Sequence, residues 1–253
     1  MTRTARRTRK RTENVSSQRL IRADLHSHTH FSKDGLTTPE EFVSRNIAAG
    51  IDCIAVSDHN NIDGAREVER LASIRATIRV IVSEEIKSSE GEIIGYFLRD
   101  PIPRGLTPED TVKAIKTQGG LIGVPHPFDR ARTSPLKTSA LLRILRDVQI
   151  LEVYNARNLL QADNRRAEAF ATRHGLIRSA GTDAHTGLEI GHTYIEMPNF
   201  KDREDFLEAL HAGRIHGHAA NPIVHLLSTF AKIRWRLGIS PVQRAYKAAG
   251  KAV

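Results

Sequence analysis

Short apolar runs alternate with amphipathic segments along most of the chain. Eight runs are rich in β-branched residues and bounded by Gly, Pro or polar positions, which predicts strands. Several of these runs are apolar throughout, as in sheets that are covered on both faces. The predicted strands are Ile21–Leu25, Ile51–Ser57, Ile78–Ser83, Ile93–Leu98, Leu121–Val124, Ile150–Tyr154, Ile177–Ala180 and Thr193–Glu196.

Helices are predicted between these strands. Thr38 and Thr107 each precede a Pro and have an acidic residue three positions later, which is a helix start signal. Gly50 and Gly119 stand where those two helices should end. Further helices are predicted near 64–75, 137–146, 161–173 and 203–212. The alternation of strand and helix favours a parallel α/β sheet or barrel in one domain over residues 21–222.

The net charge of +9 is concentrated at the two ends of the chain. Residues 1–20 carry seven Lys or Arg and one Glu, with few apolar positions, and we expect a disordered basic tail. Residues 223–253 are expected to form a basic amphipathic helix and tail, with apolar residues at steps of three and four. Both ends could contact nucleic acid weakly, and the basic face of the C-terminal helix could contact RNA or lipid, but a solvated charged face is the simpler interpretation.

Composition excludes two classes of protein. One Cys cannot support a disulfide framework. No apolar run reaches the roughly 18–20 residues that a membrane span needs. We therefore expect a cytoplasmic protein without a membrane span.

His and acidic residues cluster where the predicted strands end. Because the carboxyl ends of barrel strands meet at one face, residues that are distant in sequence would converge there. His nitrogens and carboxylates together form divalent metal centres, and the two His of a His-x-His pair point to the same side of a strand. The clusters are Asp24-Leu-His26-Ser-His28 with Asp34, Ser57-Asp58-His59, Glu84-Glu85, Pro125-His126-Pro127 and Thr182-Asp183-Ala-His185.

These five motifs, in this order, resemble those of the PHP (polymerase and histidinol phosphatase) superfamily. The resemblance extends from about Arg22 to about Pro222. It implies a distorted (β/α)7 barrel of the TIM-like α/β class that binds two or three Mn, Zn or Fe ions. It also implies phosphoesterase activity, in which a hydroxide bridging the ions attacks the phosphate ester.

The matching motif positions imply how the ions would be held. The first ion would have His26, His28, Glu85 and Asp183 as ligands. Glu85 would be shared with a second ion at His126. Asp34, His59 and His185 would bind a third ion. Asp58 would not bind an ion itself but would hold one of the ligands in position.

Two ligand assignments depart from a simple match to the family motifs. Either Glu84 or Glu85 could be the shared carboxylate, and the family's Glu precedes an apolar residue, which favours Glu85. Many family members have a His where this chain has Glu92. Because Glu also binds metals, we predict that Glu92 is a ligand of the second ion and makes that site richer in oxygen.

The expected function is hydrolysis of nucleotide-type phosphate esters, such as nucleoside 3′,5′-bisphosphates or short 5′-phosphorylated oligonucleotides. Arg157 could bind a substrate phosphate or be an exposed loop residue, and Lys33, Arg130 and Arg132 are weaker candidates of the same kind. Two alternatives remain open. One is a phosphomonoesterase like histidinol phosphatase, and the other is a non-catalytic barrel that binds nucleic acid through its basic ends. The His216-Gly-His218 pair is expected to lie outside the metal centre.

Overall fold

A computed structural model describes residues 19–75 and 78–248. The predicted disordered tail therefore lies outside the described residues up to position 18, as do the last five residues of the predicted C-terminal tail. Leu20, which the tail prediction included, already belongs to the first strand.

Nine strands and eight helices make up the described chain. The strands are β1 (Leu20–Ser27), β2 (Cys53–Val56), β3 (Arg79–Ser88), β4 (Gly91–Tyr96), β5 (Leu121–Val124), β6 (Ile150–Asn155), β7 (Ile177–Gly181), β8 (Thr193–Pro198) and β9 (Arg214–Gly217). The helices are α1 (Pro39–Ala48), α2 (Asp63–Arg75), α3 (Pro108–Thr117), α4 (Thr138–Ile144), α5 (Gln161–His174), α6 (Arg203–His211), α7 (Val224–Arg236) and α8 (Pro241–Ala248).

The eight predicted strands and the predicted helices are confirmed, with small shifts of their ends. Thr38 and Thr107 cap α1 and α3 by accepting hydrogen bonds from the backbone N–H three residues later. β9 and α8 are absent from the prediction. β9 is short and half-exposed, and its residues Arg214–Gly217 lack the apolar alternation of a buried strand.

The strands form a nearly closed barrel. The sheet order is β7-β6-β5-β4-β3-β2-β1-β8-β9, and β1 returns to the end of β7. There the backbone N–H of Asp183 donates to the carbonyl of His26 (2.7 Å), and that of His28 donates to Ala184 (2.8 Å). β8 and β9, which are connected through α6, extend the sheet beyond β1 as an antiparallel pair. The predicted (β/α) barrel class is confirmed.

The expectation of a purely parallel sheet is wrong at β4, which pairs antiparallel with both β3 and β5. Only two residues separate β3 from β4, too few for a crossover that would allow parallel pairing. Because β4 runs in the opposite direction, its first residues lie beside the carboxyl end of β3, where Glu92 is opposite Lys87. This reversal brings Glu92 to the barrel end that carries the motif residues.

An irregularity in β1 decides which side chains enter the barrel. Ala23 pairs with Cys53, but Ser27 pairs with Val56, so β1 has one more residue than β2 over this stretch. An extra residue reverses the side-chain alternation of a strand. The side chains of His26 and His28 therefore point into the barrel interior, on the same side of the sheet as the side chain of Ala23.

Apolar side chains fill the barrel below the motif residues. Ala23, Cys53, Ile81, Tyr96 and Ile150 belong to one buried cluster. The hydroxyl of Tyr96 crosses from β4 to donate to the carbonyl of Leu25 on β1 (3.2 Å). The interior beneath the motif residues is therefore a packed core, as in other small barrels.

We expect Cys53 to be unreactive in the folded protein. Its side chain is fully buried, and burial raises the pKa of the thiol to about 12, so little thiolate forms at neutral pH. Because Cys53 is the only Cys of the chain, labelling with a thiol reagent at pH 8 should follow global unfolding. Rapid labelling without denaturant would contradict this expectation.

Candidate metal centre

Four acceptor side chains converge at the open end of the barrel. The Nε2 atoms of His26 and His28 are 3.1 Å apart. The Nε2 atom of His28 lies 3.2 Å from Asp183 Oδ1 and 3.5 Å from Glu85 Oε2. Corresponding distances from His26 are both 3.7 Å. These are the four residues that the resemblance assigns to the first ion, and they come from β1, β3 and the end of β7.

Glu85 also faces the residues expected around a second ion. Its Oε1 atom is 3.0 Å from His126 Nε2, and Glu92 Oε2 is 3.8 Å from the same nitrogen. Glu85 therefore stands between the two groups, with one oxygen toward each. Its neighbour Glu84 points to the other side of β3, where it accepts a hydrogen bond from the backbone N–H of Ile102.

The third expected group is assembled around Asp34. The Nε2 atoms of His59 and His185 each lie 3.4 Å from Asp34 Oδ1, and His59 Nδ1 lies 3.0 Å from Glu85 Oε2. All nine residues predicted as metal ligands thus lie within one continuous cluster.

The donor set fits divalent ions. Ligand atoms around a tetrahedral ion with bonds of about 2.1 Å are about 3.4 Å apart, which is close to the distances within each group. The Oδ1 atoms of Asp34 and Asp183 are buried without a hydrogen-bond partner in the described structure. Unpartnered carboxylate oxygens beside paired imidazole nitrogens are what a cation would satisfy. Groups of His28, His59 and His185, and of His26, His28 and Glu85, have the spacing of metal-binding sets.

The electrostatics of the cluster keep three of its four carboxylates charged, those of Asp34, Glu85 and Asp183, whereas burial and the nearby Glu85 raise the pKa of Glu92. Burial alone would raise the pKa of Asp183, but Arg132 and His26 outweigh burial and hold that pKa well below its usual value. Burial is likewise outweighed by His59 at Glu85 and at Asp34, whose pKa values are well below normal. Charged carboxylates are ready to bind cations.

The surroundings shift the pKa values of the two histidines of β1 in opposite directions. Burial lowers the pKa of His28 well below its usual value, assisted by the nearby His185 and His59. At His26, burial is outweighed by Glu152 and Asp183, which raise the pKa well above its usual value. Because a metal-binding imidazole must be deprotonated, binding at His26 requires the release of a proton.

Asp58 holds the loop behind His28. It accepts hydrogen bonds from the Thr29 N–H (2.8 Å), the Thr29 hydroxyl (2.6 Å) and the Ser32 hydroxyl (2.6 Å). Ser32 in turn lies 3.1 Å from His28 Nδ1. Asp58 therefore acts on His28 through Ser32, and does not face the metal cluster itself. Asp24 similarly accepts hydrogen bonds from the N–H and the hydroxyl of Thr182, which secures the end of β7.

Glu152 is a site residue that the sequence analysis did not assign. Its Oε1 atom lies 3.0 Å from His26 Nδ1, and its Oε2 atom accepts from the His126 N–H (2.7 Å). A carboxylate in this position orients an imidazole toward a metal. The available signal was its place near the end of the sixth strand, beside the motif strands.

A cavity of about 380 Å³ opens onto the cluster and is lined by cationic side chains. Arg132 lies within ion-pair distance of Asp129 and Asp183 (2.8 and 2.5 Å). Arg157 is buried, not exposed, and contacts Glu189 and Ser228. The other two lining cations are Lys33 and Lys232. Arg130 is not among the lining residues and instead pairs with Asp163.

Helix α7 supplies part of this cavity. His225, Ser228 and Lys232 line it, and Lys232 Nζ lies 3.3 Å from Asp34 Oδ2. The sequence analysis treated residues 223–253 as separate from the barrel and assigned no site residue to them. The apolar and basic spacing of this segment shows a helix but not where it docks.

The remaining His pair is remote from the metal cluster. His216 lies on β9, which the sequence analysis did not predict, and stacks on Tyr194 with ring centroids 4.9 Å apart. His218 Nδ1 lies 3.2 Å from the carbonyl of His192. Neither belongs to a metal-binding set among the described residues.

Comparisons with known proteins agree with this architecture. A family model described as PHP-associated matches residues 161–215, which include β7 and the Asp183 motif. The uncharacterized protein MJ1587 of Methanocaldococcus jannaschii is 37% identical over 147 residues, covering 54% of this chain and 82% of that protein. A 5′-3′ exoribonuclease of Haemophilus influenzae is 28% identical over 150 residues, covering 54% of this chain and 50% of the enzyme.

The fold also matches a solved structure. A two-domain protein from Bacteroides vulgatus containing a predicted PHP-like metal-dependent phosphoesterase superposes with a TM-score of 0.64 at 18% identity. The match covers 85% of this chain and 70% of that protein. Together with the five motifs and the convergent site, these similarities show that the chain belongs to the PHP superfamily.

We expect Glu92 to contribute to one ion only. Replacing it with Ala should lower the number of bound ions by about one per chain, because Glu92 faces His126 and has metal-binding spacing with Glu85 and His59, but is in neither of the groups that contain His26. Glu92→His, which restores the residue common in the family, should retain the ion. Metal content after dialysis, measured by mass spectrometry, checks both variants. An unchanged content in Glu92→Ala would contradict the assignment.

Proposed function

We propose that the protein is a metal-dependent phosphoesterase that hydrolyses small phosphate esters. One observation carries the proposal: nine His and carboxylate side chains from separate strand ends converge beside a cavity with four cationic side chains. A barrel that had kept its shape but lost catalysis would be expected to have lost some of this set. Divalent ions bound there would lower the pKa of a coordinated water and bind phosphoryl oxygens.

The residues of the chain divide between holding ions and holding substrate. His26, His28, Glu85 and Asp183 are the proposed ligands of the first ion, and Asp58 and Glu152 keep the imidazoles in position. Glu85 and His126, with Glu92, would bind the second ion. Asp34, His59 and His185 would bind the third.

The cations of the cavity would attract and orient an anionic ester. Arg157 is almost fully buried, and its NH1 group lies 3.4 Å from Glu189 Oε1 but forms no hydrogen bond in the described structure. Lys33 and Lys232 lie nearer solvent, where a flexible ammonium can follow a second phosphate. Residues of α7 and of the segment after β5 form walls of this cavity beside the proposed reaction site.

We further propose a nucleotide-type substrate, either a nucleoside 3′,5′-bisphosphate or a short 5′-phosphorylated oligonucleotide. A volume of about 380 Å³ is within the range of small-molecule sites. Several separated cations suit a substrate with more than one phosphate. The similarity to an exoribonuclease supports the same substrate class.

Phosphate release from a substrate panel tests this function. The panel should contain nucleoside 3′,5′-bisphosphates, nucleoside monophosphates, histidinol phosphate and short 5′-phosphorylated RNA, with Mn²⁺ restored after chelation. We expect phosphate release that requires Mn²⁺. His26→Ala should abolish this release, because the first ion would lose one of its proposed ligands. The preferred panel member identifies the substrate class.

His211→Ala is the matched control, because His211 is exposed at the end of α6 and outside the cluster. It should leave activity unchanged. No release from any panel member by folded protein loaded with metal would contradict the proposed function. Release that survives His26→Ala would show that the activity arises elsewhere.

A further inference from the structure

Helix α7 has apolar residues on the side that faces away from the barrel. Its inner side packs on the barrel through Val224, Ser228 and Ala231, which are all buried. Five large apolar residues at steps of three and four share the opposite side and form what we term the outer stripe. The outer stripe consists of Ile223 (58% exposed), Leu226 (68%), Phe230 (54%), Ile233 (49%) and Leu237 (68%).

The surroundings of the outer stripe are cationic. No Asp or Glu occurs between positions 223 and 253. Within the described part of the chain, Arg234, Arg236 and Lys247 form no ion pair with any carboxylate, whereas Lys232 pairs with Asp34 on the inner side. An apolar stripe flanked only by positive charge needs a partner that is apolar in the middle and negative at its border.

This chain cannot easily supply such a partner. Two copies that met through their outer stripes would bring two sets of cations together without any acidic residue between 223 and 253 to neutralise them. Residues 1–18 carry six Lys or Arg and one Glu, so they add to the positive charge. RNA would neutralise the cations and its bases could stack on Phe230, but the four aliphatic residues of the stripe would be left without a partner.

We propose that the outer stripe of α7 binds the surface of a membrane that contains anionic lipids. The helix would lie in the plane of the interface, with Leu226 and Phe230 in the boundary between headgroups and acyl chains. Arg234, Arg236 and Lys247 would meet the anionic headgroups. The inner side would remain docked on the barrel. None of the described helices is both long and apolar enough to span a bilayer, so the contact is with the surface alone.

Sedimentation with lipid vesicles tests the proposal. The full chain should sediment with phosphatidylcholine vesicles in which a third of the lipid is phosphatidylglycerol, and much less with phosphatidylcholine alone. Added salt should weaken binding because it screens the charges. Leu226→Ser combined with Phe230→Ser should weaken binding by about tenfold or more, because two apolar anchors are lost. Both residues are more than half exposed, so their replacement should not disturb folding.

Ile74→Ser combined with Leu142→Ser is the matched control, since these apolar residues are similarly exposed on α2 and α4. It should bind vesicles like the unmodified chain. Failure of the full chain to bind anionic vesicles would overturn the proposal, as would binding that the outer-stripe variant does not weaken. A dimer that light scattering detects and the same variant disperses would assign the stripe to a second copy. A mobility shift with RNA that depends on Leu226 and Phe230, without vesicle binding, would assign it to nucleic acid.

Discussion

Replacing Glu85 with Gln should abolish metal binding at the shared position and lower kcat/KM by at least about a thousandfold, the scale seen when an active site loses a charge-stabilising group. Glu85 lies within 3.0–3.7 Å of four imidazole nitrogens, those of His26, His28, His59 and His126. An amide lacks the charge and the second anionic oxygen with which Glu85 could bind two ions. Metal content and phosphate release under saturating Mn²⁺ measure the two effects.

Glu84→Gln is the matched control for this prediction. Glu84 is the adjacent residue and is equally buried, but its contact is the backbone N–H of Ile102. Burial raises the pKa of Glu84 to about 8, so this carboxyl is largely protonated at neutral pH and a neutral amide is a close substitute. Metal content and activity should stay near those of the unmodified protein. A site emptied by Glu84→Gln but not by Glu85→Gln would reverse the assignment.

Replacing Asp58 with Ala should lower the free energy of unfolding by about 3 kcal/mol or more. Three buried donors, two from Thr29 and one from Ser32, would lose their acceptor, and each orphaned donor costs about 1–3 kcal/mol. Metal affinity should also fall by about 10–100-fold, because Ser32 would no longer be held against His28. Urea denaturation of the metal-free protein and metal titration measure these two effects separately.

Two other variants separate positioning from stability at Asp58. Ser32→Ala removes the link between Asp58 and His28 but leaves the Thr29 contacts, so it should weaken metal binding with a smaller loss of stability. Gly64→Ala would place a methyl group 2.0 Å from Asp58 Oδ2 and displace the carboxylate without changing its charge. If metal affinity stays normal in Ser32→Ala and in Gly64→Ala, Asp58 acts on stability alone.

Most elements of the fold were predictable because their signals are local. Strand runs such as Leu121–Val124 and helix caps such as Thr38 and Thr107 depend on neighbouring residues, and the structure has them at these positions. β9 escaped prediction because its residues are half-exposed and depend on pairing with β8. α8 escaped because nothing after Leu237 continues the apolar spacing of α7.

The convergence of the motif residues followed from their order in the sequence, and the resemblance to the PHP superfamily implied which of them would bind ions. His and carboxylate residues placed after successive strands of a barrel must come together at one face, whatever the details of packing. That argument extended to His26, His126 and Asp183, and the structure brings them within one cluster. It could not extend to Glu152 or Lys232, which lie outside the motifs and act through contacts between distant segments.

The sequence by itself determined the barrel class, the resemblance to the PHP superfamily and the convergence of the motif residues, because these depend on local periodicity and on the order of strands. Only the tertiary structure decided which side chains complete the site. The extra residue in β1 turns His26 and His28 inward, and the reversal of β4 brings Glu92 to His126. The docking of α7 buries Ser228, brings Lys232 to Asp34 and leaves the outer stripe exposed. Pairing register, strand direction and helix docking are set by long-range contacts, which a local pattern of residues does not encode.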